Sequence, residues 1–317
     1  MTLEILTRIF NLHSQYPVFI INDLNVKTYL PNQEGYYTIG NRRMNFSKYH
    51  INQSGFNSYH EFIPAKEKIE IALIGDSFIE GLHQNYTNSI GKKIEQKLNN
   101  KIEIFEFGHS GYDFADQLHL ISAYKNKFEL IDNIIIYLKF DNDLKRDTYK
   151  PDTYWVDSQY FTFSKIKSNI KFLKFIDGIG FLDPVRKLKS KLITVNDNVD
   201  DNNLNPSTKD NLNEKEYLNN FKKLIDTYGI DKIKTVFLID KSKTSDLFVA
   251  YCDKMGYRYI DFGVLLAQSK KPTTLIYDRH WNNHGRDIIA NSITSYIMNQ
   301  QYFINNNASF TNWGIRN

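Results

Sequence analysis

Residues 69–78, IEIALIGDSF, join a short apolar run to a glycine, an aspartate and a serine. An apolar run of this length, closed by a glycine, is typical of a buried β-strand. Ser77 would then lie just beyond the carboxyl end of the strand, near the start of the following helix. Open α/β sheets build their ligand sites at the carboxyl ends of their strands, so Ser77 is a candidate functional residue.

Four more apolar runs follow, and stretches with helical spacing of apolar residues separate them. The runs are IEIFEF (102–107), IIIYLKF (134–140), TVFLID (235–240) and YRYIDF (257–262). Helical spacing occurs at Ile90, Ile94 and Leu98, at Leu218, Phe221, Leu224 and Ile225, and from about Gly285 to Met298. Because strands and helices alternate, the sequence predicts an α/β fold, a three-layer α/β/α sandwich with a central, mostly parallel five-stranded sheet.

Two regions interrupt this alternation. Residues 1–68 are rich in Asn and Tyr, and we expect them to form an extension that packs on the core. The core domain should span residues 69–300, with an insertion at about 141–213, and residues 301–317 should form a C-terminal tail. Within the insertion, the polar stretch NDNVDDNNLNPSTKDN (196–211) predicts a mobile loop.

Two other stretches of the insertion, SKIKSNIKFLKF (164–175) and VRKLKSKL (185–192), mix lysines with large apolar residues. This pattern is typical of a surface helix whose lysine face is solvated. It also fits a basic amphipathic surface that meets a membrane or an anionic substrate. Peripheral membrane contact is therefore a second interpretation of these stretches.

The composition argues against several classes of protein. The net charge of +4 comes from 40 basic and 36 acidic residues, a balance unlike that of a nucleic-acid-binding protein. Cys252 is the only cysteine, so the chain can form neither an internal disulfide nor a cysteine zinc cluster. The first residues lack the apolar core of a secretory signal, and no stretch approaches the ~20 apolar residues of a membrane span. We therefore expect a cytoplasmic protein.

Motifs for cofactors and metals are also missing. Neither GxGxxG nor GxxxxGK(S/T) occurs, so a nucleotide cofactor is not expected. HEXXH is absent as well, and His280 and His284 lack a convincing third ligand. The sequence therefore predicts no cofactor and no metal.

The segment DRHWN (278–282) lies just before the last predicted helix. In an alternating α/β topology, this loop returns to the edge of the sheet that carries Ser77. A serine hydroxyl becomes a good nucleophile when a base removes its proton, and His280 can be that base. Asp278, two residues earlier, can fix the tautomer of His280 and stabilise its protonated form.

Four segments resemble, in order, blocks I, II, III and V of the SGNH (GDSL) hydrolases. They are GDSF (75–78), GHSGYD (108–113), FDND (140–143) and DRHWN (278–282), and the resemblance covers roughly residues 69–299. A weaker similarity links YHINQSGFNSY (49–59) to the Asn-x-x-Gly-Phe segment that precedes the GDS block in one bacterial subgroup. A hairpin at Ser54-Gly55 explains that stretch about as well. The resemblance implies a flavodoxin-like SGNH hydrolase fold.

The resemblance also implies a role for each matching residue. Ser77 is the nucleophile, and Asp278 and His280 complete its triad. The oxyanion hole consists of the backbone N–H of Ser77 together with Gly111 and Asn142. Physical reasoning agrees, because Gly111 follows the second strand and Asn142 follows the third, so both should gather near Ser77. Glycine permits close backbone approach, and the Asn142 amide can donate hydrogen bonds without adding charge.

Some residues in and near these blocks need separate interpretation. The third block reads Asp141-Asn142-Asp143, where the family usually has a glycine before the asparagine or one residue further back, but the side-chain donor is retained. Gly108 is an alternative donor to Gly111. For His109 and His284 we expect ordinary turn or surface positions.

The sequence thus predicts a serine esterase that hydrolyses an acyl ester, most simply an acetyl group on a carbohydrate, through an acyl-enzyme. Three alternatives with a different reaction or substrate remain open. The same triad could serve an O-acyltransferase that modifies a surface polysaccharide, or a lipase or thioesterase. A fourth possibility is a non-catalytic glycan-binding or scaffold module.

Overall fold

The computed structural model describes residues 2–39, 43–161, 169–181, 206–276 and 278–299, with residues 206–212 described by their backbone alone. The strands are β1 (Phe19–Ile21), β2 (Lys27–Tyr29), β3 (Gln33–Ile39), β4 (Asn45–Ile51), β5 (Ile69–Gly75), β6 (Ile102–Gly108), β7 (Asn133–Tyr137), β8 (Thr235–Ile239) and β9 (Arg258–Asp261). The described helices are α1 (Thr2–Ile9), α2 (Ser77–Glu80), α3 (Ile90–Lys97), α4 (Phe114–Ala123), α5 (Lys125–Phe128), α6 (Phe140–Asp143), α7 (Tyr154–Ser158), α8 (Lys171–Gly178), α9 (Pro206–Tyr228), α10 (Asp246–Met255), α11 (Gly263–Ala267) and α12 (Asn283–Met298).

Strands β5 to β9 form one parallel sheet in the order β6-β5-β7-β8-β9. Counted along the chain from β5, this order is 2-1-3-4-5, the order of flavodoxin-like doubly wound sheets. All five predicted strands are present, and the predicted α/β class with a five-stranded sheet is confirmed. Two antiparallel hairpins, β1-β2 and β3-β4, precede the sheet.

Alternate residues of β5 face two separate apolar clusters. Ala72 and Ile74 belong to the first cluster, and Ile71 and Leu73 to the second. Helices α4, α9 and α10 contribute side chains to the first cluster, whereas α3 and α12 contribute to the second. The sheet is therefore covered on both faces, which confirms the predicted three layers and explains its continuous apolar strands.

The Asn-x-x-Gly-Phe segment forms a tight loop against β2. The Asn52 side-chain oxygen accepts hydrogen bonds from the backbone N–H groups of Ser54 at 3.1 Å and Phe56 at 3.0 Å. Gly55 has a φ of 84°, and a Cβ there would lie 2.6 Å from the carbonyl oxygen of Tyr29. Phe56 is fully buried, with its ring centroid 5.2 Å from that of Phe107 on β6. This loop therefore packs directly on the core.

The prediction of a mobile loop at 196–211 is wrong for the last residues of that stretch. Residues 196–205 lie outside the described residues, but 206–211 form the first turns of α9. Pro206 occupies the first helical position, where the fixed φ of proline suits a helix and its missing N–H costs nothing. A polar stretch can thus extend a helix whose apolar face lies further along the chain.

The basic stretches of the insertion are only partly described. Residues 164–168 and 185–192, and the tail from 301 to 317, lie outside the described residues. Helix α8 contains most of the remainder and packs against α1, where the Glu4 carboxylate accepts from the backbone N–H groups of Lys171 at 3.0 Å and Phe172 at 2.8 Å. Within the described ranges, every helix is too short or too polar to cross a membrane.

Strand β7 ends at Tyr137, before the predicted residue 140, because Phe140 begins α6. The Asp143 carboxylate closes the turn between them by accepting from the Lys139 backbone N–H at 2.8 Å. A short polar side chain that bonds the backbone in this way competes with a strand ladder. Asp143 is fully buried, and burial together with the charge of Asp76 raises its pKa to about 8.

The raised pKa of Asp143 predicts a specific pH dependence of stability. Because the pKa rises on folding from 3.8 to about 8, the folded protein holds this proton more tightly than the unfolded chain. The contribution of Asp143 to the free energy of unfolding is thus full below about pH 4 and is lost as the pH rises towards about 8. Relative to wild type, Asp143→Asn should become progressively more stable across this range in urea unfolding at several pH values.

Asp141→Asn is the matched control for this measurement, since Asp141 is exposed on the same turn. Because Asp141 is exposed, the difference in stability between Asp141→Asn and wild type should not grow between about pH 4 and pH 8. Parallel curves for Asp143→Asn and wild type would contradict the raised pKa.

Candidate active site

Ser77 is the first residue of α2, directly after the end of β5. Asp76 caps this short helix by accepting from the Phe78 backbone N–H at 2.9 Å. Gly81 ends the helix in the left-handed region, with a φ of 63°. The strand, the cap and the glycine together present the Ser77 side chain at the carboxyl edge of the sheet, as the sequence predicts.

The structure brings Ser77, His280 and Asp278 into one chain of hydrogen bonds. His280 Nε2 lies 2.7 Å from Ser77 Oγ, although the two residues are 203 positions apart in sequence. His280 Nδ1 is hydrogen-bonded to Asp278 Oδ1. The same carboxylate oxygen accepts from the His280 backbone N–H at 3.1 Å, which fixes the loop as well as the ring. A histidine ring thus contacts the hydroxyl, and a carboxylate orients that ring.

Aromatic packing holds this loop in place. Trp281 is buried and packs its ring 4.8 Å from that of Phe78 and 5.2 Å from that of Tyr137, measured between centroids. The Phe78 ring also lies 4.5 Å from the ring of His280. The residues that directly follow Ser77 and His280 therefore contact each other, which reduces the freedom of the Ser77 and His280 side chains.

The electrostatics keep Asp278 ionised and its neighbour His83 neutral. Burial alone would raise the pKa of Asp278, but the hydrogen bonds and charge of His280 outweigh it and lower the pKa to about 2. His83 lies beside the pair, its ring centroid 3.9 Å from that of His280. Burial, with the charges of His280 and Arg286, lowers the pKa of His83 to about 3. His83 lies in none of the four sequence blocks, so no motif marks it as a site residue.

His83, Asp278 and His280 place potential metal-ligand atoms within 4.8 Å of one another. Both nitrogens of His280 are engaged by Ser77 and Asp278, which leaves neither of them open to a metal ion in this arrangement.

Two backbone N–H groups near Ser77 have no hydrogen-bond acceptor among the described residues, namely those of Ser77 itself and Gly111. Gly111 has a φ of 75°, which favours glycine, and no atom of the described residues other than its two chain neighbours lies within 4 Å of the position a Cβ would take. Gly108, the alternative donor, serves instead for close packing, since a Cβ there would overlap the backbone of Glu80. Both N–H groups are therefore unengaged within the part of the chain that the structure describes.

Asn142 lies on α6, which follows β7 on the other side of β5 from β6. Its side chain is exposed, and Nδ2 donates to Asp143 Oδ1 at 3.0 Å, which uses one of its two N–H bonds. An ion pair between Lys139 and Asp76 ties this turn to the residue before Ser77. The turn is thus held without the glycine that the family usually has there.

The remaining histidines near the blocks do not contact Ser77. His109 lies in a turn, but it is fully buried and not at the surface, with its ring stacked on those of Tyr29 and Tyr112. Burial lowers the pKa of His109 to about 3, so it is neutral. His284, in the first turn of α12, lies 2.9 Å from Ser269 Oγ.

In sequence, the chain matches no protein-family model and no curated protein. Solved structures are similar to it in fold, and three of them illustrate the likeness. A lipolytic protein of the G-D-S-L family from Desulfitobacterium hafniense is 11% identical, with a TM-score of 0.38, over 72% of this chain and 99% of that one. A carbohydrate acetylesterase family member from Sinorhizobium meliloti is 10% identical, with a TM-score of 0.35, over 72% and 97%. A psychrotrophic esterase from a Pseudoalteromonas species is 12% identical, with a TM-score of 0.39, over 75% and 100%.

Proposed function

We propose that the chain is a serine esterase in which Ser77 is the nucleophile, His280 the general base and Asp278 the residue that orients it. The observation that carries this proposal is the 2.7 Å contact between His280 Nε2 and Ser77 Oγ, with Asp278 bonded to the other nitrogen of the ring. Four ordered sequence blocks that resemble those of SGNH hydrolases support the same assignment.

The reaction has two halves. Ser77 Oγ attacks the ester carbonyl carbon while its proton passes to His280 Nε2, and the carbonyl oxygen becomes an oxyanion. Collapse of this intermediate breaks the bond to the alcohol, which leaves with the proton from His280, and the acyl group stays on Ser77. Water then attacks the acyl-enzyme, His280 takes and returns the proton, and the free carboxylic acid leaves.

The N–H groups of Ser77 and Gly111, with the Asn142 amide, are the proposed donors to the oxyanion. Donors that point at developing charge before the reaction stabilise the transition state more than the substrate. The absence of an acceptor for the two backbone groups among the described residues supports this role.

For the substrate, we propose a short acyl group, most simply acetyl, carried by a carbohydrate. Support comes from two tyrosines before the sheet. The ring centroid of Tyr37 lies 5.7 Å from that of His83, and Tyr16, itself 5.7 Å from Tyr37, is 58% exposed. Through these contacts, the exposed ring of Tyr16 is connected to the site. An exposed aromatic ring offers a surface on which a sugar ring can stack.

Ser77→Ala and His280→Ala should each abolish the release of p-nitrophenol from p-nitrophenyl acetate. Loss of the nucleophile or the base typically removes several powers of ten in rate, about 10⁴–10⁶. The measurement compares initial rates for acetyl, butyryl and octanoyl esters, and the rate should fall as the acyl chain grows.

Ser269→Ala and His284→Ala are matched controls, because they remove a second serine–histidine contact of 2.9 Å elsewhere in the chain. Both should keep wild-type rates. Equal turnover by wild type and Ser77→Ala on every ester would refute the esterase. Ser77-dependent turnover that requires an added sugar acceptor would point to the transferase instead, and preference for octanoyl esters to a lipase or thioesterase.

Asn142→Ala should lower kcat by about 10²–10³ with little change in KM, since the lost donor acts on the oxyanion and not on the bound ester. Steady-state kinetics on p-nitrophenyl acetate provide the measurement. Asp141→Asn, on the neighbouring exposed residue, should leave kcat near wild type. Equal rates for wild type and Asn142→Ala would remove Asn142 from the oxyanion hole.

A further inference from the structure

Hydrogen bonds hold most backbone polar atoms of the loop from His109 to Tyr112, but the Gly111 N–H has no acceptor among the described residues. The Ser110 N–H donates to Glu80 at 2.9 Å, and the Tyr112 N–H donates to the His109 carbonyl oxygen at 3.0 Å. His109 Nδ1 lies 3.0 Å from the carbonyl oxygen of Ser110, which belongs to the same peptide unit as the Gly111 N–H. The direction of that N–H therefore depends on how firmly the peptide units on both sides are held.

On the carboxyl side of Gly111, the side chain that holds the backbone comes from a distant part of the chain. Lys27, on β2, donates from Nζ to the carbonyl oxygen of Gly111 at 3.1 Å. In return, the Tyr112 hydroxyl donates to the Lys27 carbonyl oxygen at 2.5 Å. Lys27 and Gly111 are 84 positions apart, so this contact exists only in the folded chain.

Lys27 is an unusual residue to find in this position. It is 2% exposed, and buried lysines are rare unless they are paired. Its partner is Asp116, also buried, at 3.6 Å, and Arg146 contacts the same carboxylate at 2.9 Å. Asp116 therefore keeps a second cation if Lys27 is replaced. The Gly111 carbonyl, in contrast, has no other donor among the described residues.

The geometry of Gly111 makes an external constraint necessary. Glycine adopts its φ of 75° without strain. Among the described residues other than its chain neighbours, no atom lies within 4 Å of the position that a Cβ would take. Glycine has more conformational freedom than any other residue, so a loop built on it needs bonds to define one conformation. Glu80 supplies such a bond before Gly111, and Lys27 supplies one after it.

We propose that Lys27 is a positioning residue, which orients the Gly111 N–H towards the oxyanion by holding the Gly111 carbonyl oxygen. This proposal rests on the esterase function proposed above. Lys27, which precedes the sheet, would then take part in catalysis without touching the reacting atoms.

Lys27→Met, which removes the donor but keeps most of the side-chain volume, should lower kcat for p-nitrophenyl acetate by about 10- to 100-fold. KM should stay within about twofold, because the lost constraint acts in the transition state. Phenylboronic acid forms a tetrahedral adduct with a serine nucleophile, so its inhibition constant should rise by the same factor as kcat falls. A purely structural defect would not link these two quantities.

Asp116→Asn is the matched control, because it breaks the ion pair but leaves Lys27 free to hold Gly111. It should keep kcat and boronate affinity near wild type. If Lys27→Met alone does not fold, as judged by its thermal melting, the double variant Lys27→Met with Asp116→Asn removes both charges and should show the same loss of kcat.

Three results would overturn the proposal. One is a folded Lys27→Met, or double variant, with wild-type kcat. Another is an equal loss in Asp116→Asn. The third is a loss of kcat without weaker boronate inhibition. Failure of the esterase function itself looks different, since Ser77→Ala would then match wild type on every ester.

Discussion

The carboxylate of Glu80 joins the parts of the chain that meet beside Ser77. It lies on α2 together with Ser77, and it accepts from the backbone N–H of Ser110 at 2.9 Å and from the Ser110 hydroxyl at 2.5 Å. The Tyr29 hydroxyl donates to it from the segment before the sheet. Burial raises the pKa of Glu80, which shows the cost of placing an acid there. Three donors offset that cost, and removing the Ser110 hydroxyl would leave Oε2 of this buried carboxylate without a donor among the described residues.

The order of the strands determines which loops can reach Ser77. β5 lies between β6 and β7, so the loops that follow these two neighbours flank the end of β5 on both sides. Gly75 and Gly108 pair in register at the ends of β5 and β6. Because Gly108 has no side chain, the backbone of α2 can pack directly against it. The strand order therefore places the loops that carry Gly111 and Asn142 on opposite sides of β5.

Much of the fold was predictable because each buried strand is also a local apolar run. The start of β5 at Ile69 and its end at Gly75 coincide with the predicted limits. The end of β7 was not predictable in the same way. Its apolar run continues to Phe140, but the Asp143 carboxylate accepts a hydrogen bond from the Lys139 N–H, and the chain turns there. The first turns of α9, at 206–211, were missed because polar residues give no apolar period.

The residues of the candidate site also differ in whether the local sequence marks them. Ser77, Asp278 and His280 could be selected from sequence, because each lies in a short motif beside a predicted strand or helix. Lys27 and Tyr29 could not be selected, since their roles depend on contacts with residues far along the chain. In sequence they are two polar members of a short strand without distinctive spacing.

Charge in the site depends on how deeply each group is buried. Burial raises the pKa values of Glu80 and Asp143, whereas Asp278, which is partly exposed and bonded to His280, keeps a pKa of about 2. In the proposed reaction, a carboxylate that is already ionised and oriented can stabilise the imidazolium that forms when His280 takes the proton of Ser77. A second positive charge on His83, whose ring centroid lies 3.9 Å from that of His280, would oppose that step. Burial holds the pKa of His83 at about 3, so the positive charge that develops on His280 faces Asp278 without repulsion from its neighbour.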